Sequence, residues 1–206
     1  MTSLARSDLF QHPPLRVASP PAEVDLVRAE RAATEFLDAL GLDTEADGLR
    51  ATPGRMARAY AELFHAAEFN LTTFPNDEGY DELVLARSIP VRAVCEHHLL
   101  PFVGVAHVGY LPGERILGLS KLARVVAHFA ARPQVQERLT KQIADCLQGN
   151  LAPAGVGVVI EAEHTCMTLR GVQATRSTTV TSTLSGVVRD DPRTRQEFFA
   201  LARAGG

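Results

Sequence analysis

The chain lacks features that would assign it to several broad classes. It has only three cysteines in 206 residues, in no secreted-scaffold spacing, which argues against a disulfide framework and for a reducing compartment. No apolar run approaches the roughly 18 residues of a membrane span. A net charge of −3 gives no support to a general nucleic-acid or acidic-membrane binder. We therefore expect neither nucleic acid nor membrane as a partner.

The first 22 residues also lack the apolar segment of a signal peptide. They contain Pro13, Pro14, Pro20 and Pro21 instead, and we interpret them as a flexible arm of a cytoplasmic protein. The whole chain has 46% hydrophobic and 22% charged residues, the composition of a globular protein with one substantial core. We therefore expect a single domain over residues 23–206.

Helical and strand patterns alternate in blocks along the chain. Apolar residues at helical spacing predict helices over 23–42, 52–64, 120–131, 134–147 and 192–204. Runs of β-branched and apolar residues predict strands over 83–85, 89–94 (interrupted at Pro90), 102–110, 115–117 (returning after a turn), 156–167 and 178–188. Thr52 and Ser120 are predicted helix caps, and Gly149 a helix stop. Segregated antiparallel strands with helices on one side indicate an α+β fold.

Two short segments concentrate side chains that bind metals. Residues 95–98 read C-E-H-H, and this C-x-x-H spacing lets two side chains converge on one metal across a tight turn. Residues 163–166 read E-H-T-C, and in a strand His164 and Cys166 would project from the same face. Three such groups suffice for a catalytic zinc, which keeps its fourth position for water or substrate.

One choice of three ligands leaves a complete set of catalytic groups. With Cys95, His98 and Cys166 as ligands, His97 and His164 remain beside the metal as free imidazoles. A metal with an open position and two nearby imidazoles is the set of groups that a hydrolytic site needs. The alternative is that these residues only pack, since a free cysteine behaves as a small buried hydrophobe. The clustering of both residue types in two short windows favours the metal site.

A candidate anion site lies at the start of the third predicted helix. Ser120, Lys121 and Arg124 stand in its first turn, where free N–H groups and the helix dipole favour anions. The alternative is a solvated helix face with a simple N-cap. Arg170 and Arg55 are further cations that could join the site, and such a cluster would suit a triphosphate.

Two interpretations of Glu137, at the start of the fourth predicted helix, stay open. A carboxylate in a pocket accepts two hydrogen bonds from the N1–H and 2-amino edge of guanine, an edge that adenine does not present. An acid at a helix N-terminus is also favoured by the helix dipole alone. Composition by itself favours the second interpretation.

Four runs, in this order, resemble those of the zinc-dependent GTP cyclohydrolase I family. They are CEHHLLPFVG (95–104), GLSKLARVV (118–126), RPQVQERLTKQI (132–143) and EHTCMTLRGV (163–172). The similarity extends from about Glu23 to the C-terminus.

The resemblance implies a T-fold, with N-terminal helices at about 23–66 and a core at about 80–206. In this fold an antiparallel sheet backed by helices closes into a barrel of five subunits. Two such rings would form a homodecamer with active sites at the subunit interfaces.

The same resemblance implies a hydrolase that converts GTP and water into 7,8-dihydroneopterin triphosphate and formate. This would be the first step of tetrahydrofolate and pterin biosynthesis, with Zn²⁺ as the cofactor. By motif, Cys95, His98 and Cys166 are similar to the zinc ligands, and His97 and His164 to the catalytic histidines.

The remaining motif positions are similar to the family's GTP contacts. Gln136 and Glu137 resemble the residues that hold the guanine edge. The residues around the triphosphate and ribose would be Ser120, Lys121, Arg124 and Arg170. Arg55, in a T-P-x-R run, looks like a phosphate contact lent by a neighbouring subunit. The chain departs from the family at two positions. Val105 stands where many members carry Lys, and Thr178 stands where some members carry Lys.

Two other functions compete with this one. Zinc nucleobase deaminases carry H-x-E followed by P-C-x-x-C, and the chain has neither pattern. A zinc-stabilised nucleotide-binding or regulatory paralogue would need no catalytic imidazole. The presence of His97 and His164 beside the proposed ligands argues against it.

Overall fold

The computed structural model describes residues 15–17 and 23–204. Its helices are α1 (Leu26–Ala39), α2 (Thr52–Leu63), α3 (Ser120–Ala130), α4 (Gln136–Leu151), α5 (Thr165–Thr168), α6 (Gly186–Asp190) and α7 (Pro192–Arg203). Its strands are β1 (Leu15–Val17), β2 (Phe69–Leu71), β3 (Thr73–Pro75), β4 (Val84–Cys95), β5 (Pro101–Leu111), β6 (Arg115–Leu117), β7 (Pro133–Gln134), β8 (Gly155–His164) and β9 (Thr179–Ser185). The arrangement confirms the predicted α+β class.

The main sheet has the strand order β7-β4-β5-β8-β9, and only β4 and β7 in it run parallel. Strands β5 and β8 pair over their whole lengths, from Phe102 opposite His164 to Leu111 opposite Gly155. This register brings the end of β8 beside the start of β5. Cys95 ends β4 at the same end of the sheet, so the two chain segments with metal-binding side chains meet there.

Helices α3 and α4 cover one face of the sheet and form the core with it. The fully buried residues that they share with β5 and β8 are Leu122, Val125, Val126, Leu139, Ile143, Ala106, Val108, Val158 and Ile160. Burial of each large apolar side chain contributes about 1.5–3 kcal/mol relative to exposure. The apolar stripes predicted in these two helices are therefore the faces that pack on the sheet.

Helix α7 lies on the opposite face, so the prediction that the helices lie on one side is wrong. Phe198 is fully buried there against Gly109 of β5 and its register partner Gly157 of β8. A Cβ on Gly157 would come within 2.7 Å of the Phe198 ring. The two glycines thus leave room for an aromatic ring on this face.

Thr52 and Ser120 are the first residues of their helices, not the predicted caps. A turn precedes each helix and satisfies N–H groups that a cap would otherwise serve. The Thr52 N–H donates to Leu49 O at 2.7 Å, and the Lys121 N–H donates to Gly118 O at 2.8 Å. Backbone carbonyls therefore replace the side-chain caps that the sequence suggested.

Helix α4 begins at Gln136, later than predicted, because residues 133–134 pair with β4 as β7. It passes through Gly149 and ends at Leu151, just ahead of Pro153. Strand β6 pairs with β3 and does not return along β5 as predicted.

The N-terminal helices α1 and α2 pack against each other and leave apolar side chains in solvent, with Val27 82% and Phe36 54% exposed. Of the predicted flexible arm, only Leu15–Val17 is described, and it pairs with β2. The rest of residues 1–22 lies outside the described residues. In the described ranges, no helix has both the length and the apolarity that crossing a membrane requires.

Candidate metal centre and active site

The three predicted ligands converge from two segments of the chain. Cys95 ends β4, His98 lies in the turn after it, and Cys166 lies in α5. Their ligand atoms all lie within 4.8 Å of one another. A tight turn holds the first two, since the Leu99 N–H donates to Cys95 O at 2.8 Å and the Cys95 N–H donates to Leu100 O at 2.9 Å. We call residues 95–99 the metal turn.

His164 and Cys166 do not lie on one strand, which corrects the prediction of a strand over 156–167. Strand β8 ends at His164, opposite Phe102, because the next residue of β5 is Pro101, which has no N–H to donate to the ladder. The chain then turns into α5, and Thr165 Oγ1 donates to Pro101 O at 2.6 Å. This helical turn, and not strand alternation, brings Cys166 close to Cys95 and His98. We call these three residues the metal group.

The donor set fits a metal of the zinc type. Around a tetrahedral zinc with bonds of about 2.0–2.3 Å, ligand atoms stand about 3.3–3.8 Å apart, so the observed group needs little closure. All three cysteines are free, and Cys95 and Cys166 are buried. Burial, and then the neighbouring Cys95, raise the pKa of the Cys166 thiol. A divalent cation between the two sulfurs would offset that effect by stabilising thiolates.

The His164 ring is held on two sides. It stacks on Phe102 with centroids 4.5 Å apart and an interplanar angle of 10°. Its Nε2 lies 2.8 Å from Oε1 of Gln136, whose Nε2 donates to Ile160 O at 3.1 Å and to Thr179 O at 2.8 Å. Because both carbonyls can only accept, the amide orientation is unambiguous, and His164 Nε2 carries the proton in that contact.

The surroundings of His164 also affect its charge. Burial lowers the pKa of His164, and the nearby carboxylate of Glu137 opposes this shift. Glu137 is exposed in the first turn of α4, whereas the neighbouring Gln136 is only 1% exposed. The Gln136 side chain is thus committed to His164 and the sheet, which leaves its main chain for any contact with a substrate.

His97 and Arg170 flank the metal group on its exposed side. His97 Nδ1 lies 3.9 Å from Cys95 Sγ, and the His97 side chain is 63% exposed. Arg170 Nη1 lies 3.4 Å from Nε2 of His98. An imidazole and a guanidinium therefore border the open side of the three ligands.

The other predicted anion contacts stay apart from the metal group. Ser120, Lys121 and Arg124 occupy the first turn of α3, as predicted, and Arg55 is exposed on α2. Over residues 15–17 and 23–204, no hydrogen bond links these four side chains to the metal turn or α5. In the described ranges, a single chain thus brings the three ligands together but forms no hydrogen bond between these four residues and them.

Sequence reasoning missed three residues that hold the metal turn. Glu96 forms an ion pair with Arg138 of α4, and Tyr60 Oη of α2 donates to Leu99 O at 2.9 Å. Glu96 and Arg138 both stand inside the motifs quoted above, but motif letters do not reveal that they pair. Leu99 adopts a left-handed backbone with φ 52°, a local signal that only the structure provides.

Val105 and Thr178, the two departures expected from the resemblance, lie beside one carboxylate. Val105 lies opposite Glu161 in the β5–β8 register, and Thr178 Oγ1 donates to Glu161 Oε1 at 3.1 Å. Alternation along β5 places Val105 on the same face as Gly109, the face that α7 covers in part. Both departures therefore concern the surroundings of Glu161.

Comparisons with known proteins agree with the motifs. A family model described as GTP cyclohydrolase I matches residues 29–203. The GTP cyclohydrolase 1 of Streptomyces avermitilis is 53% identical over 189 residues, covering 88% of this chain and 92% of that protein. The Aquifex aeolicus protein of the same name is 48% identical, covering 87% of this chain and 98% of its own length. The Rattus norvegicus protein of that name is 49% identical, covering 88% and 77%.

Proposed function

The chain belongs to the GTP cyclohydrolase I family and is an enzyme of that family, and we propose that it converts GTP and water into 7,8-dihydroneopterin triphosphate and formate. The observation that carries this proposal is the convergence of the Cys95, His98 and Cys166 ligand atoms within 4.8 Å. His97 and His164 stand beside this group, so a metal and two proton-transfer groups would act at one place.

We propose Zn²⁺ as the metal, held by Cys95, His98 and Cys166. Two thiolates and one imidazole suit zinc, and three protein ligands leave one position open. When bound there, zinc supplies a Lewis acid that lowers the pKa of water in the open position to near neutrality. The two thiolates require a reducing environment, and we propose the cytoplasm for that reason.

His164 donates the proton that N7 of guanine needs when C8 is hydrated and the imidazole ring opens. Its stacking on Phe102 and its bond to Gln136 support this role, because they fix the ring plane and keep Nε2–H on Gln136, so that the imidazolium form presents its second proton, on Nδ1, to N7. A positioned imidazole contributes about 10²–10⁴-fold to such a step. His97, exposed beside Cys95, positions water or moves protons at the ribose after formate has left.

The first turn of α4 binds the guanine. Glu137 accepts from N1–H and the 2-amino group, and the free main-chain N–H groups of this turn, including that of Gln136, are available to the purine edge. The triphosphate and ribose lie against the first turn of α3 and the cations around it, namely Ser120, Lys121, Arg124 and Arg170. The dipole of α3 adds to their attraction for an anion.

Residues 23–206 form the catalytic domain, with N-terminal helices at about 23–66 and a T-fold core at about 80–206. Two pentameric rings assemble into a decamer with active sites at the subunit interfaces, and Arg55 reaches the triphosphate of a neighbouring subunit. The exposed apolar side chains of α1 and the position of β9 at the edge of the sheet, with no further strand beside it among the described residues, support an assembly of this kind. Size-exclusion chromatography with light scattering tests it.

The decisive experiment incubates purified protein with GTP and follows formate and pterin fluorescence together. We expect both products at equal amounts from zinc-loaded protein. Release of ammonia without formate would instead identify a deaminase. Binding of zinc and GTP without either product would identify a regulatory paralogue.

A further inference from the structure

Arg138 is anchored at three points although it lies near the protein surface. Its Nε donates to Gln134 Oε1 at 3.0 Å, and its Nη2 donates to Pro133 O at 3.1 Å and to the carboxylate of Glu96. Gln134 is fully buried, with its Nε2 donating to Phe129 O at 2.8 Å. The guanidinium is therefore fixed by its bond to Gln134, a buried residue of the core.

The partner carboxylate belongs to the metal turn. Glu96 stands between Cys95 and His97, and its N–H donates to Gln134 O at 3.0 Å. Strand pairing continues this connection, since Cys95 is the register partner of Gln134 in the parallel β4–β7 pair. Main chain and side chain thus tie the same turn to the segment that leads into α4.

The two ends of this connection carry different parts of the proposed site. Arg138 directly follows Glu137, the proposed guanine ligand, whereas Glu96 directly follows Cys95, a proposed metal ligand. The distance between the reacting water and C8 of guanine depends on how these two segments are placed. A misplacement of about 1 Å in such an arrangement costs on the order of 10²-fold in rate.

Stability alone does not account for the ion pair. The Arg138 and Glu96 side chains are 43% and 33% exposed, and pairs of this kind contribute little to folding. Another pair on the same helix, Lys141 with Asp145 at 2.8 Å, is 67% and 58% exposed and touches no part of the metal turn. It is a natural control for a surface ion pair without a positional role.

We propose that Arg138, acting through Glu96, is a positioning residue that holds the metal turn in register with the guanine-binding turn of α4. This inference rests on the proposed function for its effect on catalysis. It also has a consequence that needs no GTP, because a loosened metal turn releases its metal more readily.

The test compares R138Q, E96Q and the double variant with K141Q as the matched control. We expect kcat for formate release to fall roughly 10–100-fold in each of the first three, as for residues that support metal ligands. The KM for GTP should change much less, since Glu137 is intact. The double variant should be no worse than R138Q, because both single variants break the same Arg138–Glu96 ion pair.

The second readout is the rate at which zinc passes from the protein to a chromogenic chelator. R138Q and E96Q should release zinc roughly tenfold faster than the wild type, while K141Q should not. Thermal unfolding should shift equally little in R138Q and K141Q. Arg138→Lys should restore only part of both properties, since an ammonium cannot reproduce the fork of the guanidinium.

Kinetics and zinc release in R138Q equal to those in K141Q would overturn the inference and leave the proposed function standing. A loss of activity matched by a large fall in the melting temperature would also overturn it, since the role would then be structural. A wild type that makes no formate, with zinc release accelerated only in R138Q and E96Q, would overturn the proposed function and support the inference.

Discussion

In the metal group, ligand atoms from two separate segments of one chain, the metal turn and α5, lie within 4.8 Å of one another. In the proposed triphosphate contacts, by contrast, the cations of α2 and α3 make no hydrogen bond to the metal turn or α5 in the described part of the chain. Covalent geometry and strand pairing suffice for the first region. The second has its residues in place on exposed helix turns, as expected if a neighbouring subunit completes it.

The largest effect is expected from Cys166→Ser, which removes one ligand from the self-contained region. Zinc and all measurable turnover should be lost, because a hydroxyl replaces the thiolate that zinc prefers. Metal analysis of purified protein and the formate assay measure both. Cys146→Ser is the matched control, since this third buried cysteine lies away from the metal group in α4 and should keep both properties. An active, metal-free Cys166→Ser protein would refute the ligand assignment.

His164→Ala, in the same region, is expected to abolish the proton transfer without disturbing the binding of zinc or GTP. Zinc content and GTP binding should persist, while formate release falls by about 10²–10⁴-fold because the proton donor is gone. Metal analysis, calorimetric titration with GTP and the formate assay give the three values. Unchanged formate release would remove His164 from the mechanism.

Sequence reasoning identified the metal group because thiols and imidazoles at such short spacings have few other roles. It did not find the helical turn that positions Cys166, because the end of a strand depends on its partner: β8 stops opposite Phe102, and the next residue of β5 is Pro101, which has no N–H. The α7 face was missed for a similar reason. Gly109 and Gly157 leave room on this face for Phe198 of α7. From the strand pattern alone, glycines at these positions indicate only a weakened strand.

The supporting contacts were harder to predict than the ligands. Gln136 is predicted to hold the guanine edge, yet its side chain is 1% exposed and bonded to His164 and two sheet carbonyls. Glu96 and Arg138 are far apart in the chain, and the β4–β7 pairing brings their segments together. Sequence patterns reveal residue types and local periodicity, whereas these roles depend on tertiary packing.

Glu137→Gln tests the proposed guanine contact in the first turn of α4, which would lie between the metal group and the triphosphate contacts. We expect the KM for GTP to rise about 10–100-fold, the cost of losing charge-assisted hydrogen bonds to the guanine edge, with zinc content unchanged. Steady-state kinetics and metal analysis measure these values. Glu197→Gln on α7 serves as the control for removing an exposed carboxylate. An unchanged KM would favour the interpretation of Glu137 as an ordinary helix N-terminal acid.

The smallest single effect is expected from Arg55→Ala, which removes one phosphate contact and should raise the KM for GTP about tenfold. Its value lies in a mixing experiment with Cys166→Ser. If Arg55 serves the site of a neighbouring subunit, co-refolded oligomers of the two variants contain some sites with both residues intact. Low-GTP activity of the mixture should then exceed the mean of the two separate proteins. A mixture that gives only that mean would place Arg55 in the same site as the Cys166 of its own chain, and the contrast between a self-contained metal group and shared anion contacts would fail.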